Sequence, residues 1–451
     1  MLKKEKIIVV GGGLAGSLFA VCLAKKGFEV KVYERRPDMR RKEVDAGRSI
    51  NLALSTRGLV ALAKVGLDTQ VLSEAIPMNG RMMHSVDGKL TYQPYGKDGQ
   101  YINSVSRAGL NMQLLSLADE NEHVQLYFEH RCIDANLNNG SVTFEKPDGT
   151  KITDSADYIF ATDGAYSAIR LEMQMTQRFD YSQDYENYGY KELEITPSAN
   201  GEFAMEKNAL HIWPRGNFMM IALPNTDASY TCTLFMPYEG TNSFESIKTE
   251  EEVKKFFKQN FNDALELMPN LTDDFARNPI GSLVTVRCNP WTRGKFVLMG
   301  DSAHALVPFY GQGMNCAFED AAVLDGLIDL HYPNWGKILS EYENERIANA
   351  NAIADLAIKN FKEMRDLVGQ PEFLEKKRIE HDLSEHFPDV FKSQYEIVTF
   401  TTKPYKFAQA MGAVNDSIIQ KIIAKGLANK VSNTEKRVEI LEILNEFKPV
   451  H

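Results

Sequence analysis

The sequence predicts an α/β protein in which a Rossmann-type domain is interrupted by an inserted antiparallel-sheet domain and followed by a C-terminal helical region. Three observations predict this arrangement. A strand, a glycine turn, a helix and a second strand follow one another at the start of the chain, and β-rich runs separated by turns occupy its middle. From about Trp335 onward, the pattern is mainly helical.

The first domain begins with a strand that is expected to be buried on both faces. Ile7 to Val10 form a continuous apolar run, which is typical of a central strand in a parallel sheet. Apolar residues from Leu14 to Cys22 then recur at helical spacing, and Gly27 is expected to end that helix. Val30 to Tyr33 predict the second strand.

The inserted sheet is predicted from three runs, Leu210 to Arg215, Phe218 to Leu223 and Tyr230 to Phe235, and Phe296 to Met299 return the chain to a buried strand. We therefore expect a discontinuous nucleotide-binding domain and an inserted substrate-binding sheet. The expected boundaries are 1–75, 98–180 and 280–334 for the first domain, 76–97 and 181–279 for the sheet, and 335–451 for the helical region.

Composition excludes several classes of function. The net charge of −10 and the absence of a long basic run argue against a nucleic-acid partner. The five cysteines form no CxxC pair, so we expect a reducing, cytoplasmic location and no metal site. The N-terminus runs directly into a strand, and no apolar stretch reaches the length of a membrane span. We therefore expect neither a signal peptide nor a membrane anchor.

The glycine turn after the first strand carries the pattern GxGxxG, from Gly11 to Gly16. In this position Gly11 permits a tight turn, Gly13 lets the backbone approach a pyrophosphate, and Gly16 lets helix and strand pack closely. Glu34 ends the second strand, where an acidic side chain accepts hydrogen bonds from ribose hydroxyls. Because this acid disfavours a 2′-phosphate, the predicted bound nucleotide is FAD or NAD.

Two later motifs decide between these nucleotides. A DGxxSxxR motif runs from Asp163 to Arg170, and a GDxAH motif runs from Gly300 to His304. With GxGxxG and in this order, they resemble the flavin-dependent aromatic hydroxylases related to p-hydroxybenzoate hydroxylase. The resemblance implies bound FAD, with Asp301 on its ribityl chain, Asp163 and Arg170 serving FAD and the passing nicotinamide cofactor, and Arg107 along its phosphates.

The resemblance also implies the reaction. NADPH or NADH reduces FAD, and O₂ then adds to give a flavin C4a-hydroperoxide whose distal OH is delivered to an electron-rich ring. Only one nucleotide fingerprint is present, so we expect the reductant to bind transiently, and the sequence leaves its identity open. His304 is interpreted as structural. A glycine-flanked helix start at Gly311 to Asn315 would aim backbone N–H groups at the flavin ring. The predicted cofactor-binding residues are Gly11, Gly13, Leu14, Ala15, Gly16, Glu34, Arg35, Arg48, Arg107, Asp163, Arg170, Asp301, Gly311, Gly313, Met314 and Asn315.

Longer strings narrow the resemblance to the members of this family that hydroxylate L-kynurenine to 3-hydroxykynurenine. They lie at 47–55, 77–82, 101–107, 210–215, 233–237 and 307–315. By similarity, Arg81 binds the substrate carboxylate, with the Tyr95 hydroxyl beside it, and Asn360, Met364 and Tyr405 contribute from the helical region. The ring would lie among Leu210, Ile212, Ile221, Leu223, Phe235, Pro308 and Phe309. No single acid–base residue is expected, because the flavin carries the chemistry and the ortho amino group donates electron density.

A turn offers a check on Arg81. Asp87-Gly88 predicts a two-residue hairpin that pairs Val86 with Lys89 and places Arg81 opposite Pro94. Strict alternation would then put Arg81 and Tyr95 on opposite faces, so the ladder is expected to break near Pro94.

Alternatives remain open at this point. Periodicity alone fits the apolar lining residues equally well to the core of the sheet, and Arg81 to a solvated strand end. The rival functions are hydroxylation of another aromatic amine or phenol and a non-catalytic FAD-binding redox sensor. The sequence does not determine the oligomeric state, a homodimer being one option.

Overall fold

The computed structural model describes residues 4–41, 51–96, 99–364 and 370–447, so the predicted cofactor residue Arg48 lies outside the described residues. The chain forms two compact units. The first unit contains 1–76, 103–187 and 281–357, and the second contains 77–102, 188–280 and 358–451.

The strands, in chain order, are β1 (Lys6–Val10), β2 (Glu29–Tyr33), β3 (Asn51–Leu54), β4 (Ile76–Met78), β5 (Gly80–His84), β6 (Leu90–Pro94), β7 (Ile102–Ser106), β8 (Val124–Tyr127), β9 (Arg131–Asn136), β10 (Ser141–Glu145), β11 (Lys151–Ser155), β12 (Tyr158–Ala161), β13 (Asp180–Ile195), β14 (Ala209–Pro214), β15 (Met219–Pro224), β16 (Tyr230–Pro237), β17 (Gly281–Asn289), β18 (Thr292–Arg293) and β19 (Phe296–Leu298). The α-helices are α1 (Leu14–Lys25), α2 (Thr56–Val65), α3 (Asp68–Glu74), α4 (Arg107–Asp119), α5 (Ala168–Gln174), α6 (Glu250–Asn260), α7 (Asn262–Leu265), α8 (Leu271–Arg277), α9 (Gly313–His331), α10 (Trp335–Lys362), α11 (Pro371–His386), α12 (Gln394–Phe400), α13 (Tyr405–Ala424) and α14 (Arg437–Glu446).

The first unit is built on a six-stranded sheet in the order β18-β19-β12-β1-β2-β8. All neighbours are parallel except β18 and β19, which form an antiparallel pair. β1 lies in the middle and its apolar residues are almost fully buried, as the continuous run predicted. The predicted Rossmann-type arrangement of β1, α1 and β2 is confirmed, and Gly27 follows α1 with φ of +80°.

The second unit is built on antiparallel β13, β16, β15 and β14, extended by β5, which runs parallel to β14, and by the edge strand β6. The three predicted runs of the inserted sheet correspond to β14, β15 and β16. This mixture of a parallel sheet, an antiparallel sheet and C-terminal helices is the predicted fold class.

The C-terminal region divides between the two units. Residues 335–357 belong to the first unit and 358–451 to the second, whereas the sequence suggested one region at 335–451. The reason is local packing: Trp335, Ile338 and Tyr342 of α10 belong to the core around β1 and α1. Helices α11, α13 and α14 share a separate small core, which includes Ile379 and Ile440.

The β5–β6 hairpin corrects the predicted register. Arg81 pairs with Gln93, not Pro94, and Gly80 pairs with Pro94. The turn has one residue more than predicted, because the Ser85 N–H donates to the Lys89 carbonyl and Gly88, at φ of +82°, occupies the left-handed position of a three-residue loop. Cross-strand partners share a face and alternate residues do likewise, so Arg81 and Tyr95 project to the same side. The predicted break in the ladder is therefore unnecessary.

The two faces of the second sheet have different neighbours. One face carries Trp213, Met220 and Leu234, which share a hydrophobic core with residues of α6 to α8 such as Phe257. The partners of Arg81 define the other face. Strand registers place on it Arg81, Met83, Leu210, Ile212, Met219, Ile221, Leu223, Thr231, Thr233 and Phe235.

Among the helices of the described residues, none is both long and apolar enough to cross a membrane. All five cysteines are free thiols.

Candidate active site

The glycine turn of the first unit is shaped by close backbone contacts. Gly11 has φ of +106°, and a Cβ there would lie 2.4 Å from the Thr162 carbonyl oxygen. A Cβ on Gly16 would lie 2.0 Å from the Gly11 oxygen. Gly13 differs, since nothing lies within 4 Å of its Cβ position. The turn therefore leaves open space at Gly13, where the sequence predicts approach of a pyrophosphate, directly before Leu14 and Ala15 begin α1.

Glu34 lies against this turn. Its Oε2 accepts a hydrogen bond from the Gly12 N–H at 2.9 Å, and its Oε1 accepts from the backbone and side chain of Arg36. Arg35 is exposed beside it. Asn111 of α4, which the motifs did not predict, donates to the Gly12 oxygen at 3.2 Å. Arg107 is the exposed first residue of the same helix.

The DG and GD motifs meet at Ser302. Its hydroxyl donates to Asp163 Oδ1 and accepts from the Gly164 N–H, both at 3.0 Å, and its carbonyl accepts from the Arg170 guanidinium at 2.7 Å. Burial raises the pKa of the Asp163 carboxyl, although hydrogen bonds from Ser167 and Ser302 oppose it. Arg170 is buried and also donates to the Ala165 carbonyl. These contacts give Arg170 a positioning role between the motifs, and its predicted contact with the cofactor stays a prediction.

Asp301 is exposed on the short 3₁₀ turn Gly300–Ser302. The buried carboxylate of Asp320 binds the backbone of this turn. Asp320 of α9 accepts from the Gly300 N–H at 2.9 Å, from His304 Nε2 at 2.6 Å and from Arg346 Nε at 2.7 Å. Burial disfavours the charged Asp320, but His304 and Arg346 outweigh it and hold the pKa of Asp320 below its usual value.

The network continues to α2. Glu319 accepts hydrogen bonds from both Arg346 and Arg57, and both arginine side chains are buried. Burial disfavours the imidazolium of His304, yet Asp320 and Cys316 raise the pKa of His304 well above its usual value. The histidine is thus part of a buried ionic network, in line with its structural interpretation.

The start of α9 is tied to β3. Asn315 is fully buried; its Oδ1 accepts from the Ser55 N–H at 2.9 Å, and its Nδ2 donates to the carbonyls of Ala53 and Gly311. Gly311 has φ of +65°, and a Cβ there would lie 3.2 Å from the Ala53 Cβ. Gly313 and Met314 open α9 at this point. Asn315 therefore fixes the backbone through which the helix start would face a flavin.

In the second unit, Arg81 lies beside a stacked pair of tyrosine rings. Its guanidinium carbon is 5.2 Å from the ring centre of Tyr95 and 4.8 Å from that of Tyr395. The two rings are stacked, with centres 5.3 Å apart. Arg81 Nε and Tyr95 Oη are buried and have no hydrogen-bond partner among the described residues. Burial raises the pKa of both phenols, so each keeps its proton.

Tyr395 was not predicted, and Tyr405 was. Tyr405 is fully buried at the first residue of α13, whereas Tyr395 of α12 contacts Arg81. No sequence motif marks Tyr395, since its partners Arg81 and Tyr95 are far away in the chain. Asn360 and Met364 are neighbours as predicted, because Asn360 Nδ2 lies 3.4 Å from Met364 Sδ.

The predicted lining residues of the second unit share the face of Arg81. Leu210 pairs with Arg81, Ile212 with Ile221, and the registers continue to Leu223 and Phe235. Ile212, Leu223 and Phe235 are buried, yet the three hydrophobic cores formed by the described residues do not include them. Phe361, next to Asn360, contacts the ring of Tyr188 at 5.1 Å. Pro308 and Phe309 belong to the first unit, where they form a 3₁₀ turn before α9.

Comparisons with known proteins agree with this geometry. Residues 4–357 match the family described as "FAD binding domain". The tetrameric form of 2-methyl-3-hydroxypyridine-5-carboxylic acid oxygenase has a similar fold, with a TM-score of 0.65 and 21% identity over 83% of this chain and 96% of that chain. Pseudomonas aeruginosa PqsL in complex with 2-aminobenzoylacetate also has a TM-score of 0.65, with 17% identity over 80% of this chain and 97% of that chain.

Sequence relatives are much closer. Kynurenine 3-monooxygenase of Myxococcus xanthus is 47% identical over 93% of this chain and 91% of its own length. The enzyme of Flavobacterium johnsoniae is 45% identical over 98% and 99%, and that of Sus scrofa is 45% identical over 90% and 86%. The chain therefore belongs to the kynurenine 3-monooxygenase family, within the FAD-binding proteins of the aromatic hydroxylase fold.

Proposed function

We propose that this protein hydroxylates the ring of L-kynurenine to give 3-hydroxykynurenine, using FAD, NADPH or NADH, and O₂. The Arg81 cluster carries the proposal. Arg81 is half-buried, with a buried Nε that has no partner among the described residues, and the buried Tyr95 hydroxyl beside it has none there either, an arrangement that is costly to maintain without a ligand. A carboxylate satisfies both groups, because it accepts charge-assisted hydrogen bonds from guanidinium and phenol alike.

The residues around Arg81 fit the rest of an aromatic amino acid. The Tyr95 and Tyr395 phenols are neutral and can donate, and their stacked rings both adjoin the guanidinium. The apolar face around Ile212 and Phe235 adjoins Arg81 along the sheet and suits an aryl ring. In this proposal Asn360 contacts the polar end of the substrate and Met364 adds to the lining, while the contribution of Pro308 and Phe309 stays a prediction made from the sequence.

The first unit fits FAD. The open space at Gly13, the N-terminus of α1 and the carboxylate of Glu34 would hold its pyrophosphate and ribose, and exposed Asp301 would hold its ribityl chain. When bound and reduced, FAD supplies the activation of O₂. The chain's own contribution is to bind and orient both molecules and to exclude water. The same proposal places the enzyme in the cytoplasm as a small-molecule enzyme without a nucleic-acid partner.

The test is NADPH and NADH oxidation by the purified yellow protein with and without L-kynurenine, with the product identified by mass spectrometry. Stimulated oxidation with a product heavier by one oxygen is the expected result. If only other aromatic amines or phenols stimulate oxidation, one of them is the substrate and the assignment of L-kynurenine is wrong. If FAD is bound and none of these compounds stimulates oxidation, a redox sensor is favoured.

Arg81→Ala sharpens this test. Truncating one partner of a buried charge pair costs about 3 kcal/mol, so kcat/KM for L-kynurenine should fall by more than about a hundredfold while FAD remains bound. Arg131→Ala, which removes an exposed arginine of the first unit, is the matched control and should leave kcat/KM unchanged. Loss of FAD from Arg81→Ala would contradict a role confined to the substrate.

A further inference from the structure

Behind Arg81, on the opposite face of the same sheet, a hydrogen-bonded chain of side chains crosses the second unit. Asp263 Oδ2 lies 2.6 Å from His84 Nδ1, His84 Nε2 lies 2.9 Å from His211 Nδ1, and His211 Nε2 lies 2.8 Å from the Glu206 carbonyl oxygen. Both histidines are buried. The chain thus connects α7, β5 and β14 with the segment before β14.

The number of protons in this chain follows from its geometry. Its three contacts each need one hydrogen, and the Glu206 carbonyl can only accept. His211 must therefore donate through Nε2 and accept through Nδ1, which obliges His84 to donate through Nε2. Two neutral imidazoles supply only two N–H groups, so the contact between His84 and Asp263 requires a third proton. The three side chains of Asp263, His84 and His211 consequently have a net charge of zero when taken together.

The surroundings place that third proton on His84. Trp213 Nε1 lies 3.1 Å and 3.0 Å from the two oxygens of Asp263 and donates to this carboxylate. Burial disfavours the charged form of Asp263, but His84 and Trp213 outweigh it and lower the pKa of Asp263. Burial also lowers the pKa of His211 to about 4, so His211 stays neutral. Among the described residues, Glu206 and the Arg215 guanidinium also face these side chains.

The hydrogen-bonded side chains of Asp263, His84 and His211 help to fix β5, the strand that carries Arg81. β5 pairs with β14 over only four residues, and its other neighbour, β6, is exposed along its whole length. Arg215 donates to the His84 carbonyl at 2.8 Å and also to the Asn260 carbonyl. The end of β5 is thereby held by its side chain and its backbone, three residues beyond Arg81.

We propose that His84 is an imidazolium paired with Asp263, and that the Asp263–His84–His211 chain is a positioning device that fixes β5 so that Arg81 meets a carboxylate in one geometry. The part concerning Arg81 rests on the proposed function, whereas the charged His84 does not. His84 and His211 lie on the core face of the sheet, Asp263 of α7 binds His84 from that side, and all three are positioning residues.

The first test compares two ligands on the FAD-loaded protein. L-Kynurenine carries the carboxylate, and kynuramine, its decarboxylated analogue, does not. Asp263→Asn removes the charge at constant shape and should raise the Kd of L-kynurenine about tenfold, as expected for part of one charge-assisted hydrogen bond, while the Kd of kynuramine stays unchanged. Glu29→Gln is the matched control, because Glu29 pairs with His123 at 2.9 Å on the surface of the first unit. An equal effect on both ligands, or none on either, overturns the positioning role.

The second test needs no variant. In the wild-type protein with ¹⁵N-labelled histidine, two buried histidines, His84 and His304, should show both ring nitrogens protonated and hydrogen-bonded. Of these two, only His84 should show coupling across a hydrogen bond to a second imidazole ring, that of His211. Assignment by His84→Gln should remove that signal. If His84 shows one protonated nitrogen, the charged pair is refuted. If wild-type protein binds kynuramine as tightly as L-kynurenine, the carboxylate role of Arg81 and the positioning role fail together, and the histidine spectrum still decides the charge of His84.

Discussion

Tyr395→Phe asks which tyrosine of the C-terminal helices serves the substrate. The substitution removes one hydroxyl and leaves the ring, so stacking on Tyr95 at 5.3 Å and the contact with Arg81 at 4.8 Å are retained. A hydrogen bond to a charged group contributes about 1.5–3 kcal/mol, so the Kd of L-kynurenine should rise about tenfold to a hundredfold. Tyr405→Phe should leave this Kd within about twofold, since Tyr405 begins α13 fully buried and the loss of its hydroxyl should act on stability.

The assay is titration of the FAD-loaded variants with L-kynurenine, followed by the flavin absorbance change, together with steady-state KM. Tyr395→Leu adds a second step, because it also removes the ring from Arg81 and should weaken binding by about a further 1 kcal/mol. A normal Kd in Tyr395→Phe together with a weakened one in Tyr405→Phe would refute the reasoning and restore the prediction made from sequence.

Three further predictions follow from local geometry. Gly16→Ala should unfold the nucleotide turn, because its Cβ would lie 2.0 Å from a backbone oxygen, whereas Gly13→Ala should fold with an unchanged Tm and bind FAD weakly, as measured by flavin fluorescence quenching. His304→Gln should lower Tm most below pH 6.5, and the difference from wild type should shrink as pH rises, because a raised folded-state pKa stabilises only while the group is protonated; a difference that grows with pH would contradict this. Leu234→Ala should cost about 2–5 kcal/mol of unfolding free energy with little change in KM, while Phe235→Ala, on the other face, should mainly raise KM; equal effects on KM would contradict the assignment of faces.

The sequence by itself determined the elements whose signals are local. The apolar run of β1, the glycine turn and the helical spacing of α1 are read within one stretch of chain, and short-range sterics dictate their conformation. The same holds for the strands β14 to β16 and for the motifs that place the chain in its family. Arg81 was also predicted this way, from the string 77–82 shared with the family, and Tyr95 was predicted beside it by similarity.

Only the tertiary structure decided what depends on distant partners. The β5–β6 register was mispredicted because two-residue and three-residue turns both suit Asp87-Gly88, and a shift by one residue exchanges the faces. Periodicity could not distinguish a hydrophobic core from a substrate pocket, because both faces of the second sheet are apolar. The structure makes the distinction, since α6 to α8 pack on the face that carries Trp213 and Leu234. Tyr395, Asp263 and His84 lie in no motif, and the motifs that contain Ser302 and His211 predict no role for these two residues. Their roles arise from contacts between residues far apart in the sequence, and those contacts form only when the protein folds.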